Sequence, residues 1–348
     1  MRNSLLFLLL PLSLPLHAQL APEPATVNIG VLSLFHPTTL VLTADHQISL
    51  RVNSSRHTLD PHRKVVIRAT AAGLTVDAVA DGPAQEFDAR RVGAEALTVT
   101  SEAFTLAVPG KLTRTYRGAL TVTAHNGILV PVVTMDTELA VASIVAAESP
   151  PHAPLEALKA QAIASRSFLI ANPRTHPGFD ACDTTHCQYL RSPPAYASPA
   201  AIATRATRHV VLTWRASPES APRIVAAMYS RSCGGQTRVP GGSAGSDQYP
   251  FYSVRCAYCL RHAETWSRPA GTPAPATEQD RIAYNRAHGW NAIPSNTHPA
   301  TGTTLVGRGT GHGIGLCQLG AADLAAHGES YDQILGHYFP NTTLSTLP

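Results

Sequence analysis

Hydrophobic and polar positions alternate in short runs along the first third of the chain. Runs such as VNIGVLSL, TLVLT, KVVIRA and GALTVTA lie between Thr26 and about Val133, and Gly, Asn, Asp and Pro separate them. Alternation places every second side chain on one face of a strand, and the separating residues favour turns. The pattern therefore predicts a β-rich part over residues 26–135.

Beyond residue 135 the hydrophobic spacing becomes helical. In TELAVASIVAAE the apolar residues Val141, Ile144 and Val145 form a stripe, and Asp136 or Thr137 can cap the first turn. The next segment, PLEALKAQAIASRSFLIAN, starts with proline and consists almost wholly of strong helix formers. Both segments are predicted to be helices.

Further helices are predicted nearer the C terminus. A loop rich in Pro, Ala, Thr and Asn between Trp266 and Thr304 contains at most one helix, near Glu278–His288. Two more helices are predicted in QLGAADLAA, residues 318–326, and in SYDQILGHYF, which begins with capping-box spacing of Ser and Gln. The whole pattern predicts an α+β fold, in which the β-rich N-terminal half packs with a helical half, residues 136–348, and leaves a cleft between them.

The N terminus has the layout of a cleaved secretory signal. One arginine is followed by an apolar run from Leu5 to Leu16 and by the small residue Ala18. We predict a signal peptide over residues 1–18 and a short linker over residues 19–25. An apolar run of about 12 residues is shorter than the roughly 18 that a spanning helix needs. We therefore expect an exported protein, periplasmic or extracellular, with no membrane span after cleavage.

The charge pattern argues against a nucleic-acid-binding protein. The formal net charge is +4 over 348 residues, and Lys and Arg are scattered along the chain without a run. Nucleic-acid-binding domains usually cluster such residues. The basic balance is compatible with an anionic polymer such as the cell wall.

Glu148 is the carboxylate that the helical stripe singles out. It follows Val141, Ile144 and Val145 by seven, four and three residues, so it extends the apolar face to the C-terminal end of the helix. An apolar setting and the negative end of the helix dipole both oppose ionisation. A carboxyl that stays neutral near pH 7 can act as a general acid. The alternative is a frayed last turn that leaves Glu148 in water.

Lys159 and Arg166 are seven residues apart and project from one face of the second helix. Two like charges on a half-apolar face predict a shared anion, which could be Glu148, another carboxylate or a group of a substrate. The alternative is a solvated face whose long side chains only cover apolar surface.

Six cysteines form two groups. In FDACDTTHCQ two cysteines are close enough for a disulfide, but neighbouring histidines could complete a zinc site of four ligands, His176, Cys182, His186 and Cys187. The second group is scattered and fits either two disulfides or one four-cysteine metal site: Cys233, Cys256, Cys259 and Cys317. Both groups remain open at this point, and the isolated CAYC pair is weak evidence for redox chemistry.

Glycine occupies every second position of GRGTGHGIG, residues 307–315. This spacing allows a close backbone approach but is neither of the common nucleotide-binding loops. His312 in its middle could be a base, a hydrogen-bond donor or a histidine of the core.

Four motifs in order resemble the stage II sporulation protein D family, which includes amidase enhancers. They are, in order, the segment that contains both predicted helices, FDACDTTHCQ, AAMYSRSCGGQT and GRGTGHGIGLCQLGA. The resemblance implies one domain that contains both the β-rich and the helical part, and lytic cleavage of peptidoglycan glycan strands between N-acetylmuramic acid and N-acetylglucosamine, preferentially where stem peptides have been removed. The family's catalytic glutamate falls on Glu148, which would protonate the leaving oxygen and then accept the proton of the 6-hydroxyl as the 1,6-anhydro ring closes.

The resemblance also suggests roles for other residues. Lys159 and Arg166 would receive the free lactyl carboxylate of a stripped strand, Tyr229 would contact the substrate or transition state, and His312 and Gln318 would shape the same cleft. It favours a structural zinc at the first cysteine group. Cys233 and Cys317 replace residues that are often serine in the family, so the second group could be a further zinc site or two disulfides.

Two other functions compete with this interpretation. The protein could be a noncatalytic peptidoglycan-binding activator, with a cell-wall amidase as its candidate partner. A zinc hydrolase is disfavoured because a site with four protein ligands has no open position and the chain has no HExxH motif.

Overall fold

A computed structural model describes residues 20–79, 92–94, 96–171, 176–240, 249–262, 264–269, 272, 274–275, 277–289, 291–296 and 304–348. The signal peptide predicted over residues 1–18 lies outside the described residues. Among the helices of the described part, none combines the length and the apolar character needed to cross a membrane.

The alternating runs of the N-terminal part form a large, mainly antiparallel sheet. Its strands are β1 (Thr26–Gly30), β2 (Thr39–Thr43), β3 (Ile48–Val52), β4 (Ser55–Leu59), β5 (Lys64–Thr70), β6 (Gly73–Val79), β7 (Val92–Ala94), β8 (Ala96–Val108), β9 (Leu112–His125) and β10 (Ile128–Asp136). The order is β1-β10-β9-β8-β2-β5-β6-β7, and the β3–β4 hairpin pairs with β8. Alternate residues of β10 are buried, as a strand with one face on a core requires.

The chain passes from the sheet directly into the first helix. Strand β10 ends at Asp136, whose side chain accepts a hydrogen bond from the Leu139 N–H at 2.9 Å and so caps helix α1 (Thr137–Glu148). The stripe residues of α1, Val141, Ile144 and Val145, are buried in the same core as the sheet. The end of α1, with Glu148, is thereby fixed relative to the sheet.

Helix α2 (Leu155–Ala171) lies between two hydrophobic cores. Leu158, Ala162 and Leu169 belong to the core of the sheet and α1, whereas Ala160 and Ile163 belong to a second core. The other elements that build the second half are β11 (Ala181–Cys182), α3 (Pro199–Ala206), β12 (Val210–Trp214), β13 (Arg223–Ile224), β14 (Tyr229–Ser230), α4 (Ala257–Arg261), β15 (Thr265–Arg268), α5 (Glu278–His288), β16 (Leu305–Arg308), β17 (Leu316–Cys317), α6 (Gln318–Ala326), α7 (Tyr331–Tyr338) and β18 (Thr343–Thr346). Mixed α+β architecture is therefore confirmed.

The segment between Trp266 and Thr304 differs in part from its prediction as a surface loop. Helix α5 has the predicted bounds, but Trp266 lies in β15, which pairs with β16. Its indole packs with Ile293 and Leu305 in a small separate core. The proline-rich composition hid these short strands because two strands of four residues leave almost no periodic pattern.

Candidate active site

Glu148 ends helix α1 and is half-buried. Its Oε1 accepts a hydrogen bond of 2.6 Å from the backbone N–H of Tyr189. Burial raises the pKa of Glu148 to about 7, although hydrogen bonds from the Tyr189 backbone and the Tyr229 side chain oppose this increase. The groups that set this pKa carry no charge. Near neutral pH such a carboxyl exists in both forms and can either donate or accept a proton.

The Tyr229 side chain lies beside this carboxyl and is held in place by Gln188 and Ser165. The Tyr229 hydroxyl donates to Gln188 Oε1 at 3.0 Å, and Gln188 Nε2 donates to the Ser165 carbonyl at 3.1 Å. Gln188 and Ser165 are both buried, so these bonds hold the tyrosine hydroxyl in a fixed position next to Glu148. Tyr229 packs against both large cores, which places it where the two halves of the fold meet.

Gln318, the first residue of α6, holds the end of α1 from the other side. Its Nε2 lies 3.0 Å from the Glu148 carbonyl oxygen and 3.2 Å from Gln161 Oε1. Gln318 is only 5 % exposed. The resemblance implied that Gln318 shapes the substrate cleft, and in the structure its amide nitrogen is engaged with protein atoms. Its role in this structure is to position the backbone of Glu148.

Gln161 and Gln188 belong to this site, although the sequence analysis did not select them. Gln161 is a buried polar residue on an alanine-rich helix, and Gln188 directly follows Cys187. The sequence did offer one indication, the position of Gln161 on an alanine-rich helix. A buried amide destabilises the fold unless it forms hydrogen bonds, so Gln161 was a candidate for a polar contact. Nothing local in the sequence links Gln188 to Tyr229, which lies in a distant strand.

His312 is a neutral, half-buried histidine that contacts the backbone of Tyr229. Its Nδ1 accepts a hydrogen bond of 3.0 Å from the Ile314 N–H. Burial lowers the pKa of His312 to about 4, while Glu278 and a hydrogen bond with the Tyr229 backbone favour the charged form to a smaller degree. At pH 7 the ring is therefore uncharged. Of the roles considered from the sequence, the contacts favour a histidine that supports the strand of Tyr229.

Lys159 and Arg166 do not share an anion, so this expectation from their spacing is wrong. Lys159 Nζ lies 2.6 Å from Glu156 Oε1 on the same helix. Arg166 is fully buried, and its Nε and Nη2 each lie 2.7 Å from a Glu138 oxygen in a bidentate pair. The prediction that Arg166 binds substrate is corrected because its guanidinium has no exposed surface. The Lys159 ammonium has three N–H donors and its side chain is partly exposed, so its pair with Glu156 leaves donors for a further anion.

The first cysteine group converges on one point. The ligand atoms of His176, Cys182, His186 and Cys187 all lie within 4.8 Å of one another. Cys187 Sγ is 3.1 Å from His176 Nε2, 3.2 Å from Cys182 Sγ and 3.6 Å from His186 Nδ1. Two sulfur and two nitrogen donors at such separations fit tetrahedral zinc, whose bonds of about 2.0–2.3 Å place its ligands about 3.5 Å apart.

This cluster lies at the edge of the large sheet and next to Glu148. Strand β11, which contains Cys182, pairs in parallel with β1. Asp183 accepts hydrogen bonds from the Leu32 N–H at 2.9 Å and from Arg114 Nη1 at 3.0 Å. Cys187 is followed directly by Gln188 and Tyr189. The cluster therefore anchors the segment that supplies the hydrogen bond to Glu148.

Comparison with known proteins tests the family resemblance. A family model described as stage II sporulation protein, SpoIID, matches residues 125–214. The predicted resemblance is thereby confirmed over this segment. Glu148, Arg166 and the first cysteine group lie inside the SpoIID segment, whereas Tyr229, His312, Gln318 and the second cysteine group lie beyond it.

Two relatives show where the similarity extends. An uncharacterized protein of Brachyspira hyodysenteriae is 26% identical over 266 residues, which are 64% of this chain and 70% of that protein. An amidase enhancer of Bacillus subtilis is 51% identical over 43 residues, 12% of this chain and 6% of its own length. The similarity to the amidase enhancer is thus confined to a short stretch.

Proposed function

We propose that this protein is an exported lytic transglycosylase that cleaves peptidoglycan glycan strands. The SpoIID match and the amidase-enhancer relative support the coarser statement, a function related to the cell wall. The observation that carries the specific reaction is Glu148: a half-buried carboxyl with a pKa of about 7, surrounded by neutral hydrogen-bonding groups.

A single carboxyl with this pKa suits the two proton transfers of the reaction. Glu148 first protonates the glycosidic oxygen as the bond to the muramic acid C1 breaks. The resulting carboxylate then accepts the proton of the 6-hydroxyl while that oxygen bonds to C1, so no water is consumed and the carboxyl is regenerated. Hydrolases that use two carboxylates instead need the second as nucleophile or base. In the described part of the chain, the groups that shift the Glu148 pKa include no such carboxylate.

Tyr229 is the neighbour that we propose contacts the substrate or its transition state. Its hydroxyl is fixed by Gln188 and stands next to the Glu148 carboxyl. When its single O–H turns from Gln188 to Glu148, it stabilises the carboxylate that forms after the first proton transfer, because a hydrogen bond to the charged form lowers its free energy. A zinc ion at His176, Cys182, His186 and Cys187 would supply structural cross-linking with no open coordination position.

The test is mass spectrometry of purified glycan strands, with and without stem peptides, after incubation with wild type and Glu148→Gln. We expect wild type to release anhydro-ended fragments preferentially from stripped strands and Glu148→Gln to lose this activity by a factor of at least about 10³. Glu219→Gln, which removes an exposed carboxyl, is the matched control and should retain activity.

The amidase-enhancer relative favours one alternative, a noncatalytic activator. An activator would bind stripped strands and increase the rate of a cell-wall amidase, and Glu148→Gln would leave both properties intact. Intact strands after incubation with a folded, strand-binding wild type would therefore exclude the lytic reaction and favour the activator.

A further inference from the structure

The second cysteine group forms a compact, fully buried cluster. Its members come from three separate parts of the chain: Cys233 follows β14, Cys256 and Cys259 flank the start of α4, and Cys317 ends β17. Each is at most 1 % exposed. All four sulfur atoms lie within 4.8 Å of one another, and Cys259 Sγ is 3.5 Å from Cys317 Sγ.

We propose that these four cysteines bind a second zinc ion as a structural, all-thiolate site. Zinc bonds to thiolates at about 2.3 Å, so the sulfurs of a tetrahedral site are about 3.8 Å apart. The observed cluster matches this size. Two ligands separated by two residues, as in CAYC, occur in many structural zinc sites because one turn of chain can direct both sulfurs to the same ion.

The arrangement favours one shared centre over two separate disulfides. A disulfide brings two sulfurs to about 2.05 Å and needs no contact with a second pair. Here the four sulfurs form a single group in which no cysteine is joined to another in a disulfide. Such convergence of chain segments distant in sequence is what a metal ion with four ligands requires.

The surroundings supply hydrogen bonds to the sulfurs, as expected around metal-bound thiolates. The Cys233 N–H donates to Cys317 Sγ at 3.4 Å, and the Tyr338 hydroxyl donates to Cys256 Sγ at 3.4 Å. Ser232 Oγ lies 3.4 Å from Cys259 Sγ. Such outer contacts orient the ligands and stabilise their negative charge. A bound Zn²⁺ would offset the negative charge of four buried thiolates, which take up protons when no cation is present.

The backbone is also adapted to the cluster at Gly320. A Cβ at Gly320 would lie 2.6 Å from Cys256 Sγ and 2.0 Å from the Tyr338 hydroxyl oxygen. Only glycine leaves room for both groups on this turn of α6. The close approach brings Cys256 to Cys317, which directly precedes α6.

The second zinc would fix two contacts of the candidate active site. Strands β14 and β17 pair in parallel, with Tyr229 opposite Leu316 and Ser230 opposite Cys317. Cys317 directly precedes Gln318, which holds the Glu148 backbone. The metal would therefore tie the Tyr229 strand and α6 to α4. This inference does not rest on the lytic reaction, since it concerns metal content alone.

The test is elemental analysis of the purified full chain with variants of each cysteine group. With both groups loaded, wild type should contain about two zinc ions, and Cys256→Ser/Cys259→Ser about one. The matched control, Cys182→Ser/Cys187→Ser, should retain one zinc at the second group. Cobalt substitution of this control should give thiolate-to-metal charge-transfer absorption. Equal zinc content in wild type and Cys256→Ser/Cys259→Ser would overturn the proposal.

If a cysteine variant fails to fold, a measurement on wild type distinguishes the metal site from disulfides. The protein is denatured without reductant in the presence of a chelator and an alkylating agent, and its peptides are mapped by mass spectrometry. Alkylation of all four cysteines together with release of about two zinc ions per chain supports the metal site, whereas disulfide-linked peptides among them, or release of about one zinc ion, overturn it. Strand cleavage is measured separately, so loss of the lytic function and loss of the second zinc are distinguishable.

Discussion

The Glu148 carboxyl has no charged partner among the groups that set its pKa, so its protonation depends mainly on burial. This makes the folded protein sensitive to pH. The Glu148 pKa is about 7 in the folded state and 4.5 when unperturbed. Between these values the folded state binds more protons than the unfolded state, so the free energy of unfolding falls as pH rises from 4.5 to 7. Above pH 7 this decrease in the free energy of unfolding is complete, and below pH 4.5 there is no decrease.

Glu148→Gln should remove this decrease because glutamine can accept the Tyr189 hydrogen bond without ionising. We expect the variant to gain up to about 3 kcal/mol relative to wild type between pH 4 and pH 8. Urea unfolding at several pH values measures the difference in the free energy of unfolding. The contributions of the other titrating groups are the same in both proteins and cancel in this difference. Glu219→Gln, which removes an exposed carboxyl, is measured alongside as the matched control. A constant difference between wild type and Glu148→Gln at all pH values would contradict a raised pKa.

At this scale the sequence predicted part of the site. The spacing from Val141 to Glu148 correctly predicted an apolar helix face and a raised pKa. It could not predict the Tyr189 N–H or Gln188, because these groups reach Glu148 and Tyr229 only through the path of a distant loop. The spacing of Lys159 and Arg166 predicted that they share a helix face, but it did not predict their ion-pair partners. Lys159 pairs with Glu156 on the same helix, whereas Arg166 pairs with Glu138 on another helix.

Arg166 links several elements through one buried guanidinium. It pairs with Glu138 in α1, donates to the Val210 carbonyl of β12 at 3.0 Å, and lies 3.8 Å from Glu23. His209 Nδ1 also forms a hydrogen bond with Glu23. The network ties α2 to α1, β12 and the N-terminal segment. Removal of the cation would leave two buried carboxylates close together.

Arg166→Met should therefore destabilise the protein by about 3–5 kcal/mol, because both carboxylates lose their counter-charge. Lys159→Met is the matched control. Its pair with Glu156 is partly exposed, so the cost should stay within about 1 kcal/mol. Urea unfolding of both variants at pH 7 checks the difference. A stable Arg166→Met that no longer discriminated between stripped and peptide-bearing strands would instead restore the substrate role predicted from the sequence.

Element bounds were more predictable than element order. Helices α5 and α6 have the predicted bounds because their patterns are local. The capping-box spacing at Ser330 and Gln333 is likewise borne out by the start of α7. By contrast, β1 pairs with β10 and β11, and no periodicity within these strands indicates partners so distant in sequence. Side-chain packing and long-range hydrogen bonds decide that order.

At the scale of the whole molecule, both candidate metal-ligand clusters adjoin, along the chain, residues that hydrogen-bond to Glu148. The first cluster precedes Gln188 and Tyr189, and the second contains the residue before Gln318. The first cluster lies within residues 176–187, whereas the second joins three segments that are distant in sequence. The sequence predicted the composition of both clusters from cysteine and histidine content, and the fold brings each set of four together. If both bind zinc, the position of Glu148 depends on metal as well as on the cores.

Zinc removal should therefore lower both stability and activity. Zinc that binds the folded state more tightly than the unfolded state raises the free energy of unfolding, so chelation should decrease Tm, and re-addition of zinc should restore it. Strand cleavage should fall in parallel because the Tyr189 N–H and Gln318 lose their supports. Differential scanning calorimetry and fragment release are followed in the same samples. Cys182→Ser/Cys187→Ser should show a smaller further decrease of Tm on chelation than wild type, since only the second cluster remains to be emptied. An unchanged Tm after elemental analysis has shown complete loss of zinc from wild type would mean that neither cluster stabilises the fold through a metal.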